Sequence, residues 1–126
     1  MADTGNQRMQ CHLTTDLSVE EKKRFTEIAQ ENDLPYCRIL RQLIRYALRE
    51  NIDWVGLFKK TNEFVMKEPL KNERRASIRT RLTIEMWTAF NQLAEERGTT
   101  VNIVLRRLIV LLNQQIVDLK TVFFNE

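Results

Sequence analysis

Turn-forming residues are scarce in this chain, with 3 Gly and 2 Pro among 126 residues. So little material for tight turns excludes a sheet of many hairpin-connected strands, and helices are expected instead. Cysteine is equally rare. Cys11 and Cys37 stand far apart and in no CxxC spacing, which excludes a disulfide framework and a zinc knuckle. His12 is the only histidine, and neither a Gly-rich phosphate loop nor a nucleophile motif with a matching base accompanies it. No catalysis, no cofactor and no metal site is therefore expected, the trio Cys11, His12 and Cys37 included. Long apolar runs are missing too: "LIVLL" at 108–112 is too short to span a bilayer, and "MADTGNQRMQ" has no apolar core for a signal peptide. A soluble cytoplasmic protein with free thiols is the expectation.

What is present is charge, unevenly placed. The net charge of +3 is mild, but Lys71, Arg74, Arg75, Arg79 and Arg81 fall within eleven residues that contain one acid, Glu73. Glu20, Glu21, Glu27, Glu31 and Asp33 crowd an earlier stretch. Within "RASIRTRLT", residues 75–83, Arg75, Ser77, Arg79 and Arg81 alternate with Ala76, Ile78, Thr80 and Leu82. In a strand the first set shares one face and the second set the other.

The chain also repeats itself. Shifted by 65 positions, residues 13–49 align with 78–114 without a gap, and ten of the 37 pairs are identical, where chance gives about two. Leu17/Leu82, Phe25/Phe90, Ala29/Ala94, Leu40/Leu105, Arg41/Arg106 and Ile44/Ile109 are among them.

Each copy has three parts. An alternating run comes first, "CHLTTDL" or "ASIRTRL", with inner positions Leu13, Thr15, Leu17 and Ile78, Thr80, Leu82. Ser18 or Thr83 then stands at a helix N-cap, and Ser18 with Glu21 makes a capping box. The helix that follows places Phe25, Ile28, Ala29 or Met86, Phe90, Leu93, Ala94 on one side. It is expected to stop at Asn32-Asp33 or Arg97-Gly98, where a left-handed residue is tolerated. The third part opens with Pro35 as a first-turn proline, or with Thr99-Thr100 as hydroxyl caps, and continues as a more apolar helix. A lone strand leaves its backbone groups unpaired and a lone helix pair cannot bury its stripe, so one copy needs the other. Antiparallel pairing that keeps the repeat symmetry puts Thr14 opposite Arg79, His12 opposite Arg81 and Asp16 opposite Ser77.

Strand, capped helix "LTIEMWTAFNQLAEERG" and second helix "TTVNIVLRRLIVLL" together resemble the ribbon-helix-helix DNA-binding family, the MetJ/Arc group. The resemblance covers about 75 residues in two copies, and the first copy departs from it at Pro35 and Asp16. It implies a mostly α fold with a short antiparallel two-stranded β-ribbon, an intramolecular pseudo-dimer of two repeats. It also implies that the ribbon lies in the major groove of double-stranded DNA. The implied base readers are Ser77, Arg79 and Arg81 in the second copy and His12, Thr14 and Asp16 in the first. Independently of the family, a two-stranded ribbon fits the major groove and Arg bonds guanine bidentately. Phosphate contacts are expected from Thr99, Thr100 and Asn102, from Tyr36 and Arg38, and from Lys71, Arg74 and Arg75 ahead of the second strand. Asp16 is expected to pair with Arg75 or Arg79. Arg38, Arg41, Arg45 and Arg49 read as a solvated helix face.

The organisation expected is a flexible arm at 1–8, a first repeat at 9–50, a partly helical connector at 51–75, a second repeat at 76–115 and an amphipathic tail at 116–126. The connector carries Trp54, Val55, Leu57, Phe58, Phe64, Val65 and Met66 and is expected to be helical over 54–66. The tail extends the preceding helix or binds a second molecule, and connector and tail are the expected surfaces for self-association on DNA. The function implied is a transcriptional regulator, most often a repressor, of bacterial, phage or mobile-element origin. Two alternatives stay open. One is a relaxosome-type accessory protein that binds and bends DNA at a plasmid transfer origin; the other is an antitoxin-like protein-interaction module.

Overall fold

A computed structural model describes residues 10–50 and 75–123. The connector, with its expected helix at 54–66, and the arm at 1–8 lie outside the described residues. The element order is β1 (Gln10–Ser18), α1 (Val19–Glu31), α2 (Tyr36–Glu50), β2 (Arg75–Thr83), α3 (Ile84–Glu96), α4 (Val101–Asn113) and a four-residue α5 (Leu119–Val122). The first two-helix unit and the second begin at positions 65 apart, strand for strand and helix for helix.

The strands pair antiparallel into a two-stranded sheet, with Thr14 opposite Arg79, His12 opposite Arg81 and Asp16 opposite Ser77. These are the pairs the repeat predicts. Both strands belong to one chain, so the ribbon is closed intramolecularly. Beneath it, α4 packs on β1 and α2 on β2, so each unit's second helix lies under the other unit's strand. The inward side chains Leu13, Leu17, Ile78 and Leu82 enter one core with Phe25, Phe90, Leu40, Leu105, Ile44 and Ile109. Burial of each such side chain stabilises by about 1.5–3 kcal/mol.

Alternation forces two threonines into this core as well. Thr15 and Thr80 are buried, and neither Oγ1 has a hydrogen-bond partner. The β-branched shape suits the strand while the hydroxyl lies unsatisfied, a cost of about 1–3 kcal/mol each.

Local chemistry sets the helix ends. Ser18 Oγ accepts from Glu21 N at 3.0 Å and Glu21 Oε1 accepts from Ser18 N at 2.9 Å, completing the capping box at α1. Thr83 Oγ1 accepts from Met86 N at 3.2 Å at the start of α3. Both first helices then end in a left-handed residue, Asp33 with φ 57° and Gly98 with φ 72°. Asp tolerates that region because its short polar side chain bonds locally; Gly has no Cβ to clash. Pro35 stands one position earlier than expected. Its carbonyl accepts from Ile39 N, which makes it the N-cap of α2 and not a residue of the first turn.

The tail does not extend α4. Gln115 turns left-handed at φ 59°, and the amides of Ile116 and Val117 bond back to the Leu111 carbonyl, so the chain folds over its own helix. Val117 and Val122 are buried in the core. Asp118 caps α5 by accepting from Thr121 N at 2.9 Å, and that backbone bond leads the influences holding its carboxyl below the usual range. A lowered folded-state pKa means that this cap contributes at neutral pH and is lost as pH falls through the folded value.

A buried polar link ties the two units together. Arg106 on α4 forks onto Glu21 on α1, with Nε to Oε1 and Nη2 to Oε2 both at 3.0 Å. The side chains are 10% and 11% exposed, so the pair is shielded from water. Asn113 Nδ2 adds a bond to the Glu21 carbonyl at 3.1 Å. Removing one partner leaves the other charge buried, which costs about 3–5 kcal/mol. Glu21→Ala is therefore expected to lower the unfolding free energy by about 3 kcal/mol in a urea titration, while the double substitution Glu21→Met, Arg106→Met recovers most of the loss because no charge is left unpaired. Because the ribbon closes within the chain, the thermal midpoint is expected not to change with protein concentration; a midpoint that rose with concentration would show pairing between chains.

Candidate nucleic-acid interface

The outer face of the ribbon carries the six residues named as readers, and His12, Thr14, Asp16, Ser77, Arg79 and Arg81 are all exposed. Strand alternation places them there, because their neighbours are drawn into the core. Thr14 and Arg79 face one another at the middle of the ribbon. Towards one end lie His12 and Arg81; towards the other lie Asp16 and Ser77.

The two ends differ in charge. Among the described residues, Arg79 and Arg81 make no hydrogen bond or ion pair, so both guanidinium groups keep all their donors for an external acceptor. At the other end Ser77 Oγ donates to Asp16 Oδ1 at 3.3 Å, and Lys22 Nζ from α1 donates to the Ser77 carbonyl at 2.9 Å. The expected Asp16–Arg79 pair does not form, since the residue facing Asp16 across the ladder is Ser77. The side chain of Arg75 lies outside the described residues, as do Lys71 and Arg74.

The expected phosphate-contacting residues are distributed over the starts of α2 and α4. Thr100 is the N-cap of α4, its Oγ1 accepting from Ile103 N at 3.4 Å, with Thr99 half-buried and Asn102 exposed beside it. Tyr36 is exposed at the first position of α2. Arg38 is exposed but stands over the Phe123 ring, 5.7 Å from its centroid, so the C-terminal segment holds it from one side. No acid occupies the first turn of either helix.

The α2 start and the Arg81 end of the ribbon enclose a cavity of about 430 Å³. It is lined by His12, Tyr36, Cys37, Arg79, Arg81 and, unexpectedly, Arg41. Helical spacing grouped Arg41 with Arg38, Arg45 and Arg49, but a half-buried position facing the ribbon sets it apart from exposed Arg38 and Arg45. Lys22 escaped the sequence reading too, since its acceptor is a backbone carbonyl 55 residues away.

Among the described residues no three His, Cys, Asp or Glu side chains group as a metal site, and no helix is long and apolar enough to cross a membrane. No family model, curated protein or solved structure matches this chain. What the interface can do is thus argued from its own chemistry. A paired ribbon with one face open to solvent and, among the described residues, unpaired arginines at its centre and one end presents directional donors to an acceptor-rich polyanion. Asp16→Asn removes the one acid that the described residues place on that face, and retention on a heparin column is expected to lengthen; unchanged or shorter retention would mean that the face does not meet the polyanion.

Proposed function

We propose that this chain is a tandem ribbon-helix-helix protein, an intramolecular pseudo-dimer of two such repeats, that binds specific sequences in double-stranded DNA and acts as a transcriptional repressor. The observation that carries the reading is the ribbon itself: six exposed side chains on one face, with Arg79 and Arg81 free of partners among the described residues. A ribbon of two strands fits the major groove, where Arg bonds guanine O6 and N7 together and each such pair discriminates by about 1–3 kcal/mol. Thr14 and His12 read beside them, whereas Ser77 and Asp16 are joined to each other and read as a unit.

Phosphates flanking the groove are held by the starts of α2 and α4, where open amides and the helix dipole favour an anion and where Tyr36, Thr99, Thr100 and Asn102 stand. Lys71, Arg74 and Arg75 add salt-sensitive attraction that is independent of sequence. Because the chain contains both halves of the ribbon and they differ at every outward pair, the recognised site is asymmetric.

The relaxosome-accessory reading uses the same contacts and differs in what the bound DNA does; a strongly position-dependent mobility of bound circularly permuted fragments would favour it. The antitoxin-like reading asks for a tail that wraps a partner, and here Val117 and Val122 are packed into the chain's own core.

Selection of bound sites from random duplex DNA tests the proposal. Arg79→Ala and Arg81→Ala are each expected to lower affinity for the preferred site by about tenfold, the lower half of the range for one bidentate pair, and to relax one base position each. Specificity unchanged by both substitutions, at several salt concentrations, would remove the ribbon from the reading head.

A further inference from the structure

Arg41 and Arg106 are equivalent in the repeat and identical in type, yet their surroundings differ. Arg106 is committed to Glu21 by a two-bond fork. The position equivalent to Glu21 in the second unit is Met86, which takes the same third place after its N-cap, Thr83. A thioether offers no carboxylate, and among the described residues Arg41 makes no hydrogen bond or ion pair.

The half-buried Arg41 guanidinium lines the cavity beside α2 with Arg79 and Arg81, and no acid lines it. Two further donors point to an anion. Pro35 is the N-cap and has no side-chain acceptor, so among the described residues the amides of Tyr36 and Cys37 have no intramolecular partner; the Pro35 carbonyl takes the next two, from Arg38 and Ile39. Thr80 also lines the cavity, with its Oγ1 turned to the core. Three guanidinium groups within one cavity repel each other unless an anion stands between them.

We propose that Arg41 holds one backbone phosphate of the bound duplex in this cavity, and that the contact exists at the Arg81 end of the ribbon alone. At the opposite end the equivalent arginine is already neutralised by Glu21, and Asp16 takes the place of Arg81. The protein therefore sits on DNA with a fixed polarity, gripping one flank more strongly than the other. This rests on the reading of duplex DNA as the ligand, and it assigns to Arg41 a role that helical spacing alone does not reveal.

The test uses Arg41→Gln, Arg41→Lys, Met86→Glu and the double substitution Arg41→Gln, Met86→Glu in the full chain, with duplex affinity measured across a salt series. Met86→Glu recreates at α3 the box that Ser18 and Glu21 form at α1, so the fold is kept and Arg41 is given a carboxylate. A thermal melt of each variant checks that the fold is intact. Arg41→Gln is expected to weaken binding to all duplex sequences alike and to make the slope of log affinity against log salt shallower by about 0.9, the loss of one phosphate contact. Arg41→Lys keeps most of that slope, and Met86→Glu mimics Arg41→Gln. In the double variant the two losses overlap and do not multiply, since both act on one guanidinium.

Specific binding with affinity and slope unchanged in Arg41→Gln overturns the phosphate contact while leaving the DNA reading intact; absence of duplex binding by the wild-type chain overturns both. Inorganic pyrophosphate at matched ionic strength distinguishes the source of the anion. Stabilisation by pyrophosphate that Arg41→Gln abolishes, combined with unchanged DNA affinity, would assign the cavity to a free anion and overturn the contact with DNA.

Discussion

Everything in this molecule depends on the pairing of β1 with β2. Each strand has one neighbour only, so each set of backbone donors and acceptors on the inner edge is satisfied by the other repeat or not at all. The same pairing creates the two faces. Its inner face supplies Leu13, Leu17, Ile78 and Leu82 to the core, and its outer face consists of what alternation leaves over. The crossed packing of α2 on β2 and α4 on β1 then makes the ribbon inseparable from the helices below it. Neither repeat has a complete core alone, and the outer face rests on the core that both share.

Much of this was legible because it follows from local chemistry and from periodicity. Antiparallel pairing centred on the equivalent positions Thr14 and Arg79, which the offset of 65 relates, gives the register, and the observed ladder follows it residue by residue. Ser18, Glu21, Thr83 and Thr100 mark helix starts by chemistry that acts over three residues, which a sequence displays directly. Asp33 and Gly98 mark the stops in the same way. The outward set of six residues is a consequence of alternation and needed no tertiary information.

What was not legible depends on contacts between distant segments. Helical spacing put Arg41 in line with Arg38 and Arg45, and only the placement of α2 against β2 separates them. Local excess of charge points Asp16 to Arg75 or Arg79, whereas its hydrogen bond from Ser77 comes from the ladder, and Arg79 stands apart from it. The amphipathic tail has a pattern that allows a continuation of α4, which the structure does not have. A left-handed Gln115, which no composition rule singles out, turns it back onto the core. The bond between Glu21 and Arg106 spans 85 positions and has no sequence periodicity, though the mismatch of Glu21 with Met86 at otherwise equivalent arginines is visible once the repeat is drawn.

That mismatch shows what joining two repeats in one chain makes available. In a dimer of identical chains, a carboxylate that neutralises an arginine does so twice, and both ends of the ribbon keep the same charge. Here a single carboxylate, Glu21, serves three purposes at one end: it closes the capping box of α1, neutralises Arg106 and ties the two units together. Met86 leaves the same arginine position uncommitted at the other end. The structural link and the open basic cavity thus come from one position of the repeat, occupied differently in its two copies. The buried bond forms once, and among the described residues the equivalent arginine is left open where the bond is missing. A symmetric pair with two such bonds would neutralise both arginines; one with none would lack the buried tie between its units. Divergence at Glu21 and Met86 leaves one arginine neutralised and its equivalent open, in line with the outer face, where Asp16 and Arg81 already set the two ends apart in charge.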